Sequence, residues 1–338
     1  MKAIVLKDKE EPLKIEDVEV PALGEDEVLI KVKAASFNRR DWWIQKGLYA
    51  GLKFPIILGS DGAGIVERVG KEANKSWIGQ SVIINPALNW GDNEAFQQKD
   101  FAILGLPENG TFAEFVKVKF ENIYPLPAHL SFEEAAALPL TGLTAYRALF
   151  SRAMLKPAEK ILIVGIGGGA SSMALLWSLA AKAQVYVTSG SDAKIEQAKS
   201  LGAIDGVNYK TDSWAKDLAE MAGGFDVILD SALGEGFASL LDLASPGARI
   251  VFFGGTAGNI PELNARKIFW KQLSVLGTTM GSDKDFLEML DFLNLHKVKP
   301  VIDSVHPFQD AEIAIRKMDD SRQFGKIVLK VDLNLISC

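Results

Sequence analysis

The sequence predicts an α/β protein in which a doubly wound parallel sheet is joined to a smaller, mostly antiparallel β domain of barrel type. Three observations carry this expectation. The segment KILIVGIGGGASSMALLWSLAAKAQVYVTSGS, residues 160–191, runs from a β-branched apolar strand through a glycine cluster into an Ala- and Leu-rich helix and a second apolar strand. That order is the first half of a dinucleotide-binding βαβ unit. After it, strand and helix patterns alternate up to Thr278, as in a doubly wound sheet. Before it, the first third of the chain is cut into short Val- and Ile-bearing runs by Pro, Gly and charged residues, the pattern of a small barrel or sandwich.

Taken in order, residues 3–6, 13–20, 28–35, 63–69 and 81–85 read as strands, and residues 111–118 as another. Residues 86–110 show no period and read as an ordered loop or lobe. Ser131 with Glu134 three positions on is a capping box that opens a helix. Pro139 and Gly142 are expected to interrupt that helix, with a second one over residues 144–150. Further helices are expected at 193–201, closed by Gly202, and at 214–221, 236–243 and 283–295; strands are expected at 206–209, 225–230, 249–254 and 273–278. KPVIDSVHPF and GKIVLKV read as strands that return to the β domain. The expected division is residues 1–125 with 298–338 for the β domain and 126–297 for the nucleotide-binding domain.

Composition narrows the function classes. A chain of 338 residues with 48% hydrophobic and 24% charged residues can fill two domain cores. A net charge of -6 offers no basic footprint for nucleic acid or an anionic membrane. MKAIVLKDKE lacks an apolar targeting core and no uninterrupted apolar stretch could span a bilayer, so a cytoplasmic protein is expected. The single cysteine, Cys338, permits no intrachain disulfide, and its thiol reads as incidental.

The blocks MKAIVL, AASFNRRDWWIQKGLY, LGSDGAGIVERVG, GTFAEFV, EEAAALPLTGLTAYRAL, ILIVGIGGGASSMALLWSLA, FDVILDSALG, GGTAG and FGKIVLKV follow one another along almost the whole chain. In order and spacing they resemble the medium-chain dehydrogenase/reductase superfamily, and within it the zinc-independent branch related to quinone oxidoreductases. The resemblance implies a GroES-like β-barrel catalytic domain interrupted by a Rossmann domain, cofactor and substrate in the cleft between them, and a homodimer.

Metal dependence can be read at particular positions. A catalytic zinc needs about three Cys, His or carboxylate ligands and a structural zinc about four, usually Cys. In zinc-dependent relatives a Cys lies in the block matching AASFNRRD and a His-Glu pair in the block matching LGSDGAG. Here those places hold Ser36 or Asn38, and Ser60 with Asp61. The lobe over residues 86–110 has no cysteine, and His129, His296 and His306, the only histidines, fall outside the pattern and read as surface or loop residues. No metal site is expected. Isolated carboxylates such as Asp41 and Asp61 could bind a cation but more often cap turns, and Asp41 reads as structural. Without a Lewis acid to activate an alcohol, chemistry would run on the nicotinamide and hydrogen bonds.

The cofactor candidates follow the glycine cluster. Gly165, Gly167, Gly168, Gly169 and Ala170 would let a pyrophosphate approach a helix N-terminus. An NAD enzyme usually has Asp or Glu at the end of the next strand, whereas a 2′-phosphate favours hydroxyls and a cation. The sequence there is Thr188, Ser189, Gly190 and Ser191, followed by Lys194, with Asp192 placed beyond the strand as a helix N-cap. The pattern favours NADP(H). By resemblance, Tyr209 in VNYK joins Ser189 and Lys194 around the phosphate, Thr141 in LTGLT holds the cofactor, with Thr144 near it, and Asn38 faces the nicotinamide or a substrate oxygen. Tyr49 in KGLY, with Asn38, is the catalytic candidate, its phenol able to donate to a carbonyl or quinone oxygen. Trp42, Trp43 and Trp90 could wall a flat apolar site or pack a core. The expected activity is NADPH-dependent reduction of a small, apolar, electron-poor acceptor, a quinone or an α,β-unsaturated carbonyl. Reduction of a simple carbonyl, as in a zinc-free alcohol dehydrogenase-type enzyme, and a non-catalytic NADPH-binding scaffold or sensor are the alternatives.

Overall fold

The computed structural model describes residues 1–331, so Cys338 lies outside the described residues. The chain divides into two compact units: Met1–Thr141 together with the segment from Gly281 onward, and Gly142–Met280.

The first unit opens with β1 (Lys2–Leu6), β2 (Lys14–Asp17), β3 (Glu27–Ser36), the short helix α1 (Arg39–Gln45), β4 (Ile56–Ile57) and β5 (Asp61–Val69). It continues through β6 (Ser81–Ile84), β7 (Ala87–Leu88), β8 (Ala102–Ile103), β9 (Phe115–Lys119), β10 (Ile123–Pro125) and α2 (Phe132–Ala136). The lobe without a period thus contains one two-residue hairpin ladder, β7 on β8. Helix α3 (Pro139–Tyr146) follows and runs into a π-helical turn, Arg147–Arg152.

Here the expectation needs correction. Pro139 begins α3 and Gly142 lies inside it. Proline is well placed at the start of a helix, where its missing N–H has no partner to lose. Leu143 and Ala145 are completely buried, and that packing outweighs the roughly 1 kcal/mol helix penalty of one glycine.

The second unit holds β11 (Lys160–Ile163), α4 (Gly169–Ala180), β12 (Gln184–Ser189), α5 (Asp192–Leu201) and β13 (Asp205–Asn208). Then come α6 (Trp214–Ala222), β14 (Phe225–Asp230), α7 (Phe237–Leu243), β15 (Ala244–Phe252), α8 (Ala265–Trp270) and β16 (Ser274–Gly277). All ladders are parallel, and the order β13-β12-β11-β14-β15-β16 reverses direction at β11. That reversal is the switch point at which doubly wound sheets bind dinucleotides. Leu162, Phe225, Ile228, Phe237 and Ile250 form the core on one side of this sheet.

The chain then returns to the first unit as α9 (Asp283–His296), β17 (Ile302–Pro307), α10 (Ala311–Arg316) and β18 (Lys326–Lys330). β18 pairs antiparallel with β3 and parallel with β17, closing a seven-stranded sheet in which β3 also carries β5 and β9. β5 crosses β3 so closely that a Cβ on Gly64 would lie 2.3 Å from the Lys31 carbonyl oxygen. Ile4, Leu6, Ile30, Phe37, Phe112, Phe308 and Leu329 fill the core. Helix α2 packs on β3, β5 and β18, and the ring of Phe286 of α9 lies tilted 4.9 Å from that of Tyr124, so both helices belong to this compact unit.

Candidate functional site

The first unit gathers four buried charges, Arg40, Asp41, Asp61 and Lys326, where β3, β5, α1 and β18 meet. β3 ends at Ser36 and Asn38 caps α1; β5 begins at Asp61; Lys326 opens β18. The Lys326 ammonium, 2% exposed, donates to Asp61 Oδ2 at 2.9 Å and to Asn38 Oδ1 at 2.6 Å. Asn38 Nδ2 donates to the same Asp61 oxygen at 2.9 Å, and Ser36 Oγ lies 3.3 Å from it. The second Asp61 oxygen accepts the Leu140 backbone N–H at 2.8 Å. A buried carboxylate so surrounded is matched by a cation and by fixed dipoles, the condition under which burial of an ion pair is tolerated.

Next to it, Asp41 accepts the backbone N–H of Asn38 at 2.7 Å, the N-terminal device of α1. Complete burial pushes its carboxyl up to about 6, against the pull of the Arg40 charge and the Asn38 N–H. Arg40 is also buried: its Nη1 donates to Ser60 Oγ at 2.8 Å and to the Leu104 carbonyl at 2.9 Å, while its guanidinium lies 5.2 Å from the centre of the Tyr49 ring. Tyr49 is half-buried on the barrel core, and Nε of Arg40 is 3.5 Å from its hydroxyl. The structure therefore brings Asn38, Asp41, Asp61, Arg40, Tyr49 and Lys326 into one cluster. Thr141, at the end of this unit, has a buried Oγ1 with no hydrogen-bond partner.

The second unit presents a separate feature. The turn between β11 and α4 has Gly165 at φ +73° and Gly167 at φ +128°, values that a side chain would strain. Its shape is held by the Gly165 N–H on Thr188 Oγ1, the Ile166 N–H on the Thr188 carbonyl and Ser189 Oγ on the Ile166 carbonyl. A Cβ at Gly165 would meet nothing within 4 Å, so the loop is open on that face. Gly168 caps α4 without a side-chain acceptor, leaving the first N–H groups of a twelve-residue helix for an anion. This arrangement fits a dinucleotide pyrophosphate at Gly165, Gly167, Gly168, Gly169 and Ala170. At the end of β12, Ser191 rather than Asp192 is the cap of α5, and Asp192 is its first helical residue.

The tryptophans are anchored. Trp90 is buried, donates to the Asn93 carbonyl at 3.0 Å and meets Phe101 edge-on; Trp42 donates to Asp319 at 2.6 Å and meets Trp43 edge-on. His129 bonds the Val298 carbonyl, His306 bonds Ser304 and His296 packs on Phe292.

Known proteins place this architecture. Residues 24–128 match the alcohol dehydrogenase GroES-like domain and residues 165–294 the zinc-binding dehydrogenase domain. The chain is 36% identical to the zinc-type alcohol dehydrogenase-like protein YogA of Leptosphaeria maculans, over 95% of each chain, and 31% identical to the quinone oxidoreductase of Mus musculus, over 94% of each. The chain belongs to the medium-chain dehydrogenase/reductase family. A crystal structure of an NAD-dependent alcohol dehydrogenase superimposes with a TM-score of 0.92 at 35% identity, covering 98% of this chain and 100% of that one. The protein is thus an oxidoreductase of that family, with a Rossmann-like and a GroES-like domain and a fold that binds nicotinamide cofactors.

Zinc, which part of the family uses, can be tested against this member's own donors. Among the described residues no group of three or more His, Cys, Asp or Glu could hold a metal ion. Moreover, the Arg40 guanidinium bonds Ser60, and the Lys326 ammonium bonds both Asn38 and Asp61. Two fixed cations already stand against Ser60, Asn38 and Asp61, the residues that the resemblance sets at ligand positions, and they would repel a divalent ion strongly in so dry a place. These residues do not fit zinc. Lys326 and Arg40 were not anticipated from sequence. Lys326 left one signal, a lysine at the head of the apolar strand KIVLK whose first four residues are all buried.

Proposed function

We propose that the protein is a zinc-independent, NADPH-dependent reductase that delivers hydride to a small, apolar, electron-poor acceptor, a quinone or the β-carbon of an α,β-unsaturated carbonyl. The observation that carries this reading is the replacement of a metal-ligand set by the Lys326–Asp61–Asn38 and Arg40–Ser60 contacts. Among the described residues no donor set would hold a Lewis acid against an alcohol oxygen, whereas quinones and enones accept hydride with only hydrogen-bond assistance.

Bound NADPH supplies the hydride. The backbone N–H groups of Gly165 to Ala170 hold the pyrophosphate, and Ser189, Gly190, Lys194 and Tyr209 receive the 2′-phosphate. The unpartnered Thr141 hydroxyl offers the cofactor a hydrogen bond. Asn38, with both ends of its amide fixed, presents one remaining N–H, and Tyr49 donates to the acceptor oxygen as negative charge develops there. Relatives include proteins described as NAD-dependent; in this chain the hydroxyls and lysine following β12 support the phosphorylated cofactor.

The assembly we propose is a homodimer. Among the described residues β16 ends its sheet with one edge unpaired, and the short helix that leads into it exposes Phe269 and Trp270, the latter at 83%.

Steady-state consumption of NADPH and NADH against quinones, enones and aldehydes tests the reading. Turnover with NADPH on a quinone or enone is expected, and Tyr49→Phe should lower kcat about tenfold to a hundredfold with little change in the KM for NADPH. NADPH that binds tightly while every acceptor goes unreduced would favour a non-catalytic binding protein instead.

A further inference from the structure

Two residues outside the expected cofactor set, Asn208 and Lys210, stand at the ribose end of the glycine loop. β13 pairs with β12 so that Asn208 lies opposite Ser189, and the Tyr209 N–H donates to the Ser189 carbonyl at 3.0 Å. This register brings Tyr209 and Lys210 over Gly190. A Cβ on Gly190 would lie 2.8 Å from the Tyr209 hydroxyl and 2.9 Å from Lys210 Cε, so the ends of both side chains lie close over this glycine. On the other side, a Cβ on Gly167 would lie 3.0 Å from Lys194 Nζ, which places that ammonium against the phosphate loop. Two lysines and a phenol hydroxyl thus flank the segment from Gly167 to Gly190.

Asn208 divides its amide between two tasks. Its Nδ2 donates to Asp192 Oδ1 at 2.8 Å, and its Oδ1 accepts the Lys210 backbone N–H at 3.1 Å. Asp192 is the only carboxylate between Thr188 and Lys194, and so the one acid of that segment that could accept from a ribose 2′-hydroxyl and repel a 2′-phosphate. Asn208 therefore engages the acid and fixes the turn that carries the second lysine.

We propose that Asn208 and Lys210 are specificity residues of the nucleotide site: Lys210 gives the adenosine 2′-phosphate a second cation beside Lys194, and Asn208 keeps Asp192 from acting on the ribose. This role, which rests on the NADPH reading above, is electrostatic, because a phosphate monoester carries between one and two negative charges near neutral pH.

Fluorescence titration of the full chain with NADPH and with NADH tests it. Lys210→Ala should raise the Kd for NADPH about tenfold and leave that for NADH within about twofold, the loss shrinking as salt is added. Asn208→Ala should also weaken NADPH, and Asp192→Asn in the same chain should restore most of the affinity, a rescue that mere damage to the strand would not show. Equal losses for both cofactors, or an unchanged NADPH affinity in Lys210→Ala, would overturn the assignment. A wild-type protein that binds NADH as tightly as NADPH would instead overturn the cofactor reading itself.

Discussion

Lys326 and Asp61 show what one buried pair contributes. Each neutralises the other, and the remaining donors of the cluster converge on the same carboxylate. Lys326→Met would leave Asp61 charged and uncompensated, at a cost of about 3–5 kcal/mol, whereas Lys326→Met with Asp61→Leu should recover much of that loss. Urea unfolding of the two variants measures the difference. Asp41 sets a pH dependence of its own. Its carboxyl titrates near 3.8 in the unfolded chain and at about 6 when folded, so the native state holds an extra proton between those values. The stability this contributes is complete below pH 3.8 and is lost as pH rises through about 6. Asp41→Asn does not titrate, so its stability relative to wild type should rise across that window by roughly 3 kcal/mol and then level off. Unfolding curves that stay parallel between the two proteins would refute the assignment. Such pairings explain why the cluster was only half legible in sequence. Asn38, Asp41, Ser60 and Asp61 could be found because they lie in two contiguous blocks. Lys326, separated from Asp61 by 265 positions, is brought in only by the pairing of β18 with β3.

At the scale of elements, most of the alternating sheet could be read because its strands are continuous apolar runs and its turns carry glycine. β14 spans the expected residues 225–230, and α5 stops at Gly202 with φ +121°. Elements whose signal is not burial were missed. Helix α8 rests on Asn264, whose side chain accepts the N–H groups of Arg266 and Lys267, and it buries none of its residues, so no helical period marks it. Its exposed Phe269 and Trp270 acquire a purpose if the edge of β16 meets a second copy. Trp270→Glu should then convert a dimer to a monomer in sedimentation analysis while leaving NADPH affinity within about twofold. An unchanged sedimentation coefficient would assign the contact to another face.

At the scale of the whole molecule, the family supplies the two-domain plan and nicotinamide chemistry, and the activity we propose rests on this chain's departures from the family pattern. The residues that the resemblance sets at zinc-ligand positions lie in a hydrogen-bonded charge cluster, and the end of β12 carries hydroxyls, a glycine and then Lys194. Among the described residues no helix is long and apolar enough to cross a membrane. Turnover by metal-free protein is the most direct test. The purified chain is dialysed against a chelator, its zinc content is measured by mass spectrometry, and NADPH oxidation is then followed with a quinone and an enone. Undiminished kcat at substoichiometric zinc, with NADH a poor substitute, is the predicted result. Activity that vanishes with the metal and returns when zinc is added would contradict it.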